Sequence, residues 1–196
     1  MSSLSASALF AAAVAVALST SSVLHAQSAP AATAAPAATA TTAAAAAPAA
    51  PPAAGPSLEL ASLAAKTALD TCTARGFAVG ASVIDSAGVL KVLLAQDGAS
   101  ARGVQSSTNK AVTALTFKDA TSQLGERVKS DTTLAQSVSA NPSFNVRAGG
   151  VLLKVKDQVV GAIGVGGARG SENDEACALA GLQAIQERLN RQFTAH

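Results

Sequence analysis

Residues 149–185 read GGVLLKVKDQVVGAIGVGGARGSENDEACALAGLQAI, and the last three elements of the fold can be predicted from this stretch. Two β-rich runs, VLLKV at 151–155 and VVGAIGVG at 159–166, are separated by a polar turn at 156–158. This pattern predicts an antiparallel hairpin. The apolar residues that follow recur at helical spacing and predict a final helix, whose buried stripe consists of Cys177, Ala180, Gly181, Ala184, Ile185 and Leu189.

The start of that final helix carries its own signal. Ser171, with Asp174 three residues on, resembles a capping box. The glycines of 161–170 do not have the spacing of a dinucleotide-binding loop, and Asp174 and its acidic neighbours would repel a phosphate at the helix start. We therefore expect no nucleotide site in this stretch.

A second hairpin and further helices are predicted upstream of residue 149. Ser57 is placed to cap a first helix that stops at Gly76, and runs at 77–84 and 89–95 predict two strands. Three more helices are predicted between the hairpins, at 106–119, 121–129 and 132–139. The order is α-ββ-α(αα)-ββ-α, which is typical of an α+β fold with an antiparallel sheet.

The composition divides the 196 residues into two parts. Residues 1–57 contain no charged residue, 25 alanines and six of the seven prolines. Within them, the apolar run at 4–18 and the small residue Ala26 are typical of a secretory signal peptide. We predict a signal peptide at 1–26, an Ala/Pro/Thr-rich disordered linker at 27–57, and one folded domain at 58–196. The protein is then exported, and periplasmic or extracellular.

The composition also narrows the classes of function. The only histidines are His25 and His196, the only methionine is Met1, and there is no Trp or Tyr. A histidine-based zinc site, a Ser-His-Asp triad and a Cys-His pair are therefore disfavoured, and we expect no metal centre. The net charge of +2 is small and dispersed, so nucleic acid is not the expected partner.

Three residues of the helix predicted at 106–119 are candidates for ligand binding. Lys110, Thr113 and Phe117 share one helical face, where a cation, a hydroxyl and an aromatic ring could hold an anionic, partly apolar ligand. The plain alternative is a helix edge with Phe117 in the core and Lys110 in solvent. Gly149 and Gly150 would let a flat ligand approach the backbone of the same pocket.

Asp174 and Glu175 form a candidate acidic site for acid–base chemistry. Adjacent helical residues point about 100° apart, so capping and salt bridges are the alternative explanation. Cys72 and Cys177 lie near the end of the first predicted helix and the start of the last. In an exported protein this placement favours a disulfide, and two buried thiols remain the alternative.

Four segments together resemble one known family. They are ALDTCTARGFAVGASVIDSAG at 68–88, DGA at 97–99, NKAVTALTFKDAT at 109–121, and the stretch at 149–185 quoted above. In this order they are similar to the GlcG/HbpS-like haem-binding family. The resemblance implies a profilin-like, PAS-related α/β/α sandwich with a five-stranded antiparallel sheet. It also implies a homo-oligomer and, for some exported members, a membrane sensor protein as partner.

The resemblance implies haem or another tetrapyrrole as the small-molecule ligand of a non-catalytic binding protein. Iron usually takes His, Cys, Met or Tyr, so any haem here would be held through Thr113, a lysine or porphyrin contacts. Two alternatives stay open. One is an oligomeric scaffold or sensor-accessory protein without haem. The other is a weak acid–base enzyme that acts on a small hydroxy acid through Asp174 and Glu175.

Overall fold

The computed structural model describes residues 53–194. The predicted signal peptide at 1–26 and most of the predicted linker lie outside these residues, as do His25 and His196. Nine elements follow one another: α1 (Leu58–Ala74), β1 (Gly80–Asp85), β2 (Leu90–Ala95), α2 (Ala101–Phe117), α3 (Thr121–Arg127), α4 (Thr132–Ser139), β3 (Gly150–Val155), β4 (Gln158–Gly166) and α5 (Ser171–Thr194). The predicted order of elements is confirmed.

The four strands form one antiparallel sheet in the order β2-β1-β4-β3. Val83 of β1 pairs with Val92 of β2 and with Ile163 of β4, and Ile163 also pairs with Val151 of β3. The α+β class with an antiparallel sheet is therefore confirmed. The fifth strand implied by the family resemblance is absent from residues 53–194.

Helices cover both faces of the sheet. On one face α1 and α5 pack against Val83, Ile163 and their neighbours, which form the larger core. On the other face Ile84 and Ala162, the next residues along their strands, pack under α2. Because successive strand residues point to opposite faces, β1 and β4 supply both cores; β1 is buried throughout, and β4 is buried from Val160 onward. The described part of the chain thus has three layers, α/β/α.

Several predicted boundaries are wrong, and local hydrogen bonds explain two of them. The second helix begins at Ala101 rather than 106, because Ser100 caps it and accepts a hydrogen bond from the amide of Gly103. The first strand begins at Gly80 rather than 77, because the amide of Phe77 still bonds to the carbonyl of Cys72 in α1. The second and third helices each end two residues before the predicted end, at Phe117 and Arg127.

A disulfide joins the two helices of one layer. Cys72 near the end of α1 and Cys177 in the second turn of α5 are bonded, with Cα atoms 5.7 Å apart and both side chains fully buried.

Ser57 caps α1 as predicted, accepting from the amide of Leu60, and the helix ends just before Gly76, whose φ is +80°. Among residues 53–194, none of the helices combines the length and the hydropathy that a membrane span requires.

Candidate ligand-binding site

A cavity of about 650 Å³ lies beside the first half of α2. Its volume is in the range of sites that bind small molecules and cofactors. Three segments form its wall: α2 with the residue before it, the loop that connects α4 to β3, and the start of α5 with the residues before it. The lining residues are Ser100, Arg102, Gly103, Gln105, Ser106, Asn109 and Lys110; Pro142, Asn145 and Arg147; and Gly167, Ala168, Ser171 and Asp174.

A buried ion pair forms the inner wall of the cavity. Lys110 Nζ donates to Asp174 Oδ2 at 2.7 Å and to the carbonyl of Val165 at 3.0 Å. The side chains of Lys110 and Asp174 are 2% and 4% exposed. Burial lowers the pKa of Lys110, Asp174 opposes that shift, and the positive charge of Arg147 adds to it. Lys110 is therefore not a free cation that could bind a ligand, as predicted. It is not exposed to solvent either, as the alternative would require.

The capping box predicted at Ser171 is wrong. Asp174 Oδ1 accepts from the amide of Ala168 at 2.9 Å, and its other oxygen accepts from Lys110. Both carboxylate oxygens are thus occupied by groups outside the helix. Asp174 fixes the chain between β4 and α5 instead of closing the first turn of α5.

Glu175 does not share a site with Asp174. Its carboxylate accepts from the hydroxyl of Ser122 on α3, and Glu175 is not among the residues that line the cavity. Since neighbouring helical residues diverge by about 100°, the two acids face different surroundings. The structure does not bring them together as an acid–base pair.

Thr113 and Phe117 face the α4–β3 loop (residues 140–149) rather than the cavity. The hydroxyl of Thr113 donates to the carbonyl of Asn109 and accepts from the amide of Asn145 at 2.8 Å. Phe117 contacts Phe144 edge to face, with ring centroids 5.2 Å apart. A helix rises about 1.5 Å per residue, so Phe117 lies about 10 Å along α2 from Lys110. Of the three predicted residues, only Lys110 reaches the cavity.

Gly149 and Gly150 lie behind the ion pair and do not line the cavity. Gly149 has a φ of +125°, and a Cβ added there would lie 2.8 Å from Asp174 Cβ and 2.9 Å from Lys110 Nζ. The amide of Gly150 donates to Thr121 Oγ1 at 2.8 Å, and its Cα packs on the α2 backbone. The close approach predicted for these glycines is to protein, not to a ligand.

The charged residues of the cavity that sequence reasoning missed are Arg102 and Arg147. Both are exposed, and neither forms a salt bridge with any carboxylate of residues 53–194. Arg102 lies in the first turn of α2, before the helix start predicted at 106. Arg147 stands two residues before Gly149, and that proximity is the one signal that could have drawn attention to it.

A family model described as "Haem degrading protein HbpS-like" matches residues 57–183. The chain belongs to the HbpS-like family. No curated protein matches it significantly in sequence. The match of the family model confirms the predicted family resemblance.

Solved structures of similar fold include members of this family. A double mutant of HbpS from Streptomyces reticuli is 32% identical, covers 72% of this chain and 98% of its own, and superposes with a TM-score of 0.63. ORFY from Klebsiella pneumoniae is 27% identical, with coverage of 66% and 90% and a TM-score of 0.62. PduOC, solved as a haem complex, is 22% identical, with coverage of 67% and 95% and a TM-score of 0.62; it shares the fold.

Proposed function

We propose that this HbpS-like chain is an exported binding protein for a small carboxylate-bearing ligand, haem or another tetrapyrrole. The observation that carries the proposal is the charge of the cavity. Asp174, the only acidic side chain in the wall, is neutralised by Lys110, which leaves Arg102 and Arg147 without a partner among the described residues. Arginine binds carboxylates through paired N–H groups, so the cavity favours an anionic ligand.

The cavity fits the propionate groups of a haem better than it fits the iron. Residues 53–194 contain no His, Met or Tyr, and both cysteines are in the disulfide. The hydroxyl of Thr113 already donates and accepts, and the ammonium of Lys110 is held by Asp174. Among these residues none is free to act as an ordinary iron ligand. We therefore assign the carboxylates to the arginines and no haem-degrading step to the chain.

Titration with hemin and with metal-free protoporphyrin IX tests this proposal. If the carboxylates carry binding, the two porphyrins bind with similar affinity, because the iron gains no protein ligand. Arg102→Gln and Arg147→Gln should each weaken binding about 10-fold through loss of a charge-assisted hydrogen bond. Arg75→Gln is the matched control, since Arg75 is exposed at the end of α1 on the other face of the sheet.

Two outcomes would contradict the proposal in different ways. Much tighter binding of hemin than of protoporphyrin would show that an iron ligand exists and that the carboxylates do not dominate. No binding of either porphyrin by the wild-type protein would exclude a tetrapyrrole ligand. In that second case the arginine variants should be tested with other small dicarboxylates.

Self-association is part of the proposed function. Val89, Leu90 and Leu93, at or beside edge strand β2, are 58%, 44% and 42% exposed. Exposed apolar side chains at a sheet edge favour pairing with another copy of the chain, and they also support the scaffold alternative. Light scattering of the wild type and of Leu93→Lys tests this. We expect Leu93→Lys to have a smaller molar mass in solution than the wild type, because fewer copies associate. A membrane sensor partner remains a proposal that rests on the family resemblance alone.

An acid–base enzyme has less support from the geometry. Both oxygens of Asp174 are engaged, and Glu175 bonds to Ser122 outside the cavity. The described residues of the cavity wall offer no second carboxylate to act with Asp174.

A further inference from the structure

Asn145 attaches the α4–β3 loop to α2 through both its backbone and its side chain. Its backbone amide donates to Thr113 Oγ1 at 2.8 Å, and its side-chain Nδ2 donates to Ser106 Oγ at 2.9 Å. Its Oδ1 accepts from the amide of Arg147 at 3.0 Å. One side chain therefore joins α2, the loop and the backbone of Arg147.

On the N-terminal side of Asn145, the loop contacts α2 through the edge-to-face pair of Phe144 with Phe117. Helix α4, which leads into it, has no buried residue. On the other side, Gly149 is held tightly behind the ion pair. Arg147 lies between these two ends, exposed and without a salt bridge in the described part of the chain. Its place in the cavity wall thus depends on the contacts that hold this loop, and among them the side chain of Asn145 bonds to the backbone of Arg147 itself.

We infer that Asn145 is a positioning residue for the ligand, and that it acts by holding Arg147 in the cavity wall. This inference rests on the proposed function, in which Arg147 binds a carboxylate of the ligand. Asn145 itself lines the cavity beside Ser106, but its polar side-chain atoms are already bonded within the protein. Its contribution to affinity should therefore pass through Arg147.

The experiment measures the affinity of the full-length protein for metal-free protoporphyrin IX. Asn145→Ala removes the bonds to Ser106 and to the Arg147 amide, and we expect affinity to fall about 3- to 10-fold. Asn141→Ala is the matched control. Asn141 lies in the same loop and accepts from the amide of Ser143, but it does not line the cavity. We expect it to bind like the wild type.

The double variant Asn145→Ala/Arg147→Gln separates positioning from a general structural effect. If Asn145 acts through Arg147, the double variant binds no more weakly than Arg147→Gln alone. Losses that multiply would overturn the inference, as would unchanged binding by Asn145→Ala. Hydrogen exchange adds a reading that needs no ligand. Amides of residues 144–148 should exchange faster in Asn145→Ala and in Thr113→Val, but not in Asn141→Ala, whose lost bond is to the amide of Ser143.

The failure of the inference and that of the proposed function are distinguishable. If the wild type binds no porphyrin, the proposed function fails and the inference falls with it. If the wild type and Arg147→Gln differ as expected while Asn145→Ala binds like the wild type, only the inference is wrong. Unchanged hydrogen exchange of the loop in Asn145→Ala would also overturn it.

Discussion

Lys110 and Asp174 come from helices on opposite faces of the sheet and meet at the end of β4, with Nζ 2.7 Å from Oδ2. The carbonyl of Val165 completes the contact. A buried charge is unfavourable unless it is paired and hydrogen-bonded, and here each partner has a second bond as well. The pair therefore fastens the two helical layers to each other beside the cavity.

Removing one partner of this pair should destabilise the domain more than removing both charges. Lys110→Met leaves Asp174 buried without its partner, and we expect a loss of about 3–5 kcal/mol in the free energy of unfolding. Asp174→Asn keeps an oxygen for the Ala168 amide, so the double variant Lys110→Met/Asp174→Asn should lose less. Urea denaturation gives the free energy of unfolding of the two single variants and of the double variant, each relative to the wild type. A double variant as unstable as the sum of the single changes would contradict this.

The stability conferred by the pair should depend on pH in one direction. Burial holds the pKa of Lys110 below the ordinary value of a lysine. Between that lowered pKa and about 10.4, the unfolded chain keeps a proton that the folded domain has released. The free energy of unfolding of the wild type should therefore rise with pH relative to Lys110→Met/Asp174→Asn. Urea denaturation from about pH 8 to 10.5 measures the difference in free energy of unfolding between the two proteins. A difference that falls as the pH rises would contradict the prediction.

The fold was predictable because its signals are local. The α4 helix occupies 132–139 as predicted, and the β3–β4 hairpin follows from two apolar runs around a short turn. The first turn of α2 was missed because Ser100 and Gly103 resemble loop residues, whereas the helix there is fixed by a cap. The fifth strand came only from the family resemblance, and residues 53–194 do not contain it.

The site was less predictable because its residues are far apart in sequence. Lys110 and Asp174 are 64 residues apart, and no periodic pattern links a helix on one face of the sheet to a helix on the other. The shared face of Lys110, Thr113 and Phe117 was correct as helix geometry. The prediction failed for Thr113 and Phe117 because the α4–β3 loop covers them. The same loop brings Arg147 to the cavity instead.

The Cys72–Cys177 disulfide should contribute strongly to stability. It closes a loop across a sequence separation of 105 residues. In the chain-entropy model such a loop stabilises the folded state by about 4–5 kcal/mol, through restriction of the unfolded chain. We expect Cys72→Ala/Cys177→Ala to lose that amount in urea denaturation. Peptide mapping without reductant checks the bond itself, and two alkylated thiols in protein expressed in the periplasm would refute it.

Export should leave a shortened chain. The apolar run at 4–18 and the small residue Ala26 predict cleavage before Gln27. Mass spectrometry of protein recovered from the periplasm or medium should find a new N-terminus near Gln27. Replacing Leu9 and Val14 with Lys should block export, because the apolar core of the segment is interrupted. Recovery of a chain that still begins at Met1, or export of the lysine variant, would show that the segment is not a signal peptide.

Gly149→Ala should destabilise the ion pair from behind. The φ of +125° strains any residue with a Cβ, and the added methyl group would press on the Val165 carbonyl as well as on Asp174 Cβ and Lys110 Nζ. Gly76→Ala is the matched control, because Gly76 also has a positive φ of +80° but nothing lies within 4 Å of its added Cβ. We expect Gly149→Ala to lose roughly 1–3 kcal/mol more than the control, the usual effect of overpacking. Equal losses in thermal and urea denaturation would mean that the Val165 carbonyl, Lys110 and Asp174 all have room to move, and that tight packing at Gly149 is not needed to hold the pair.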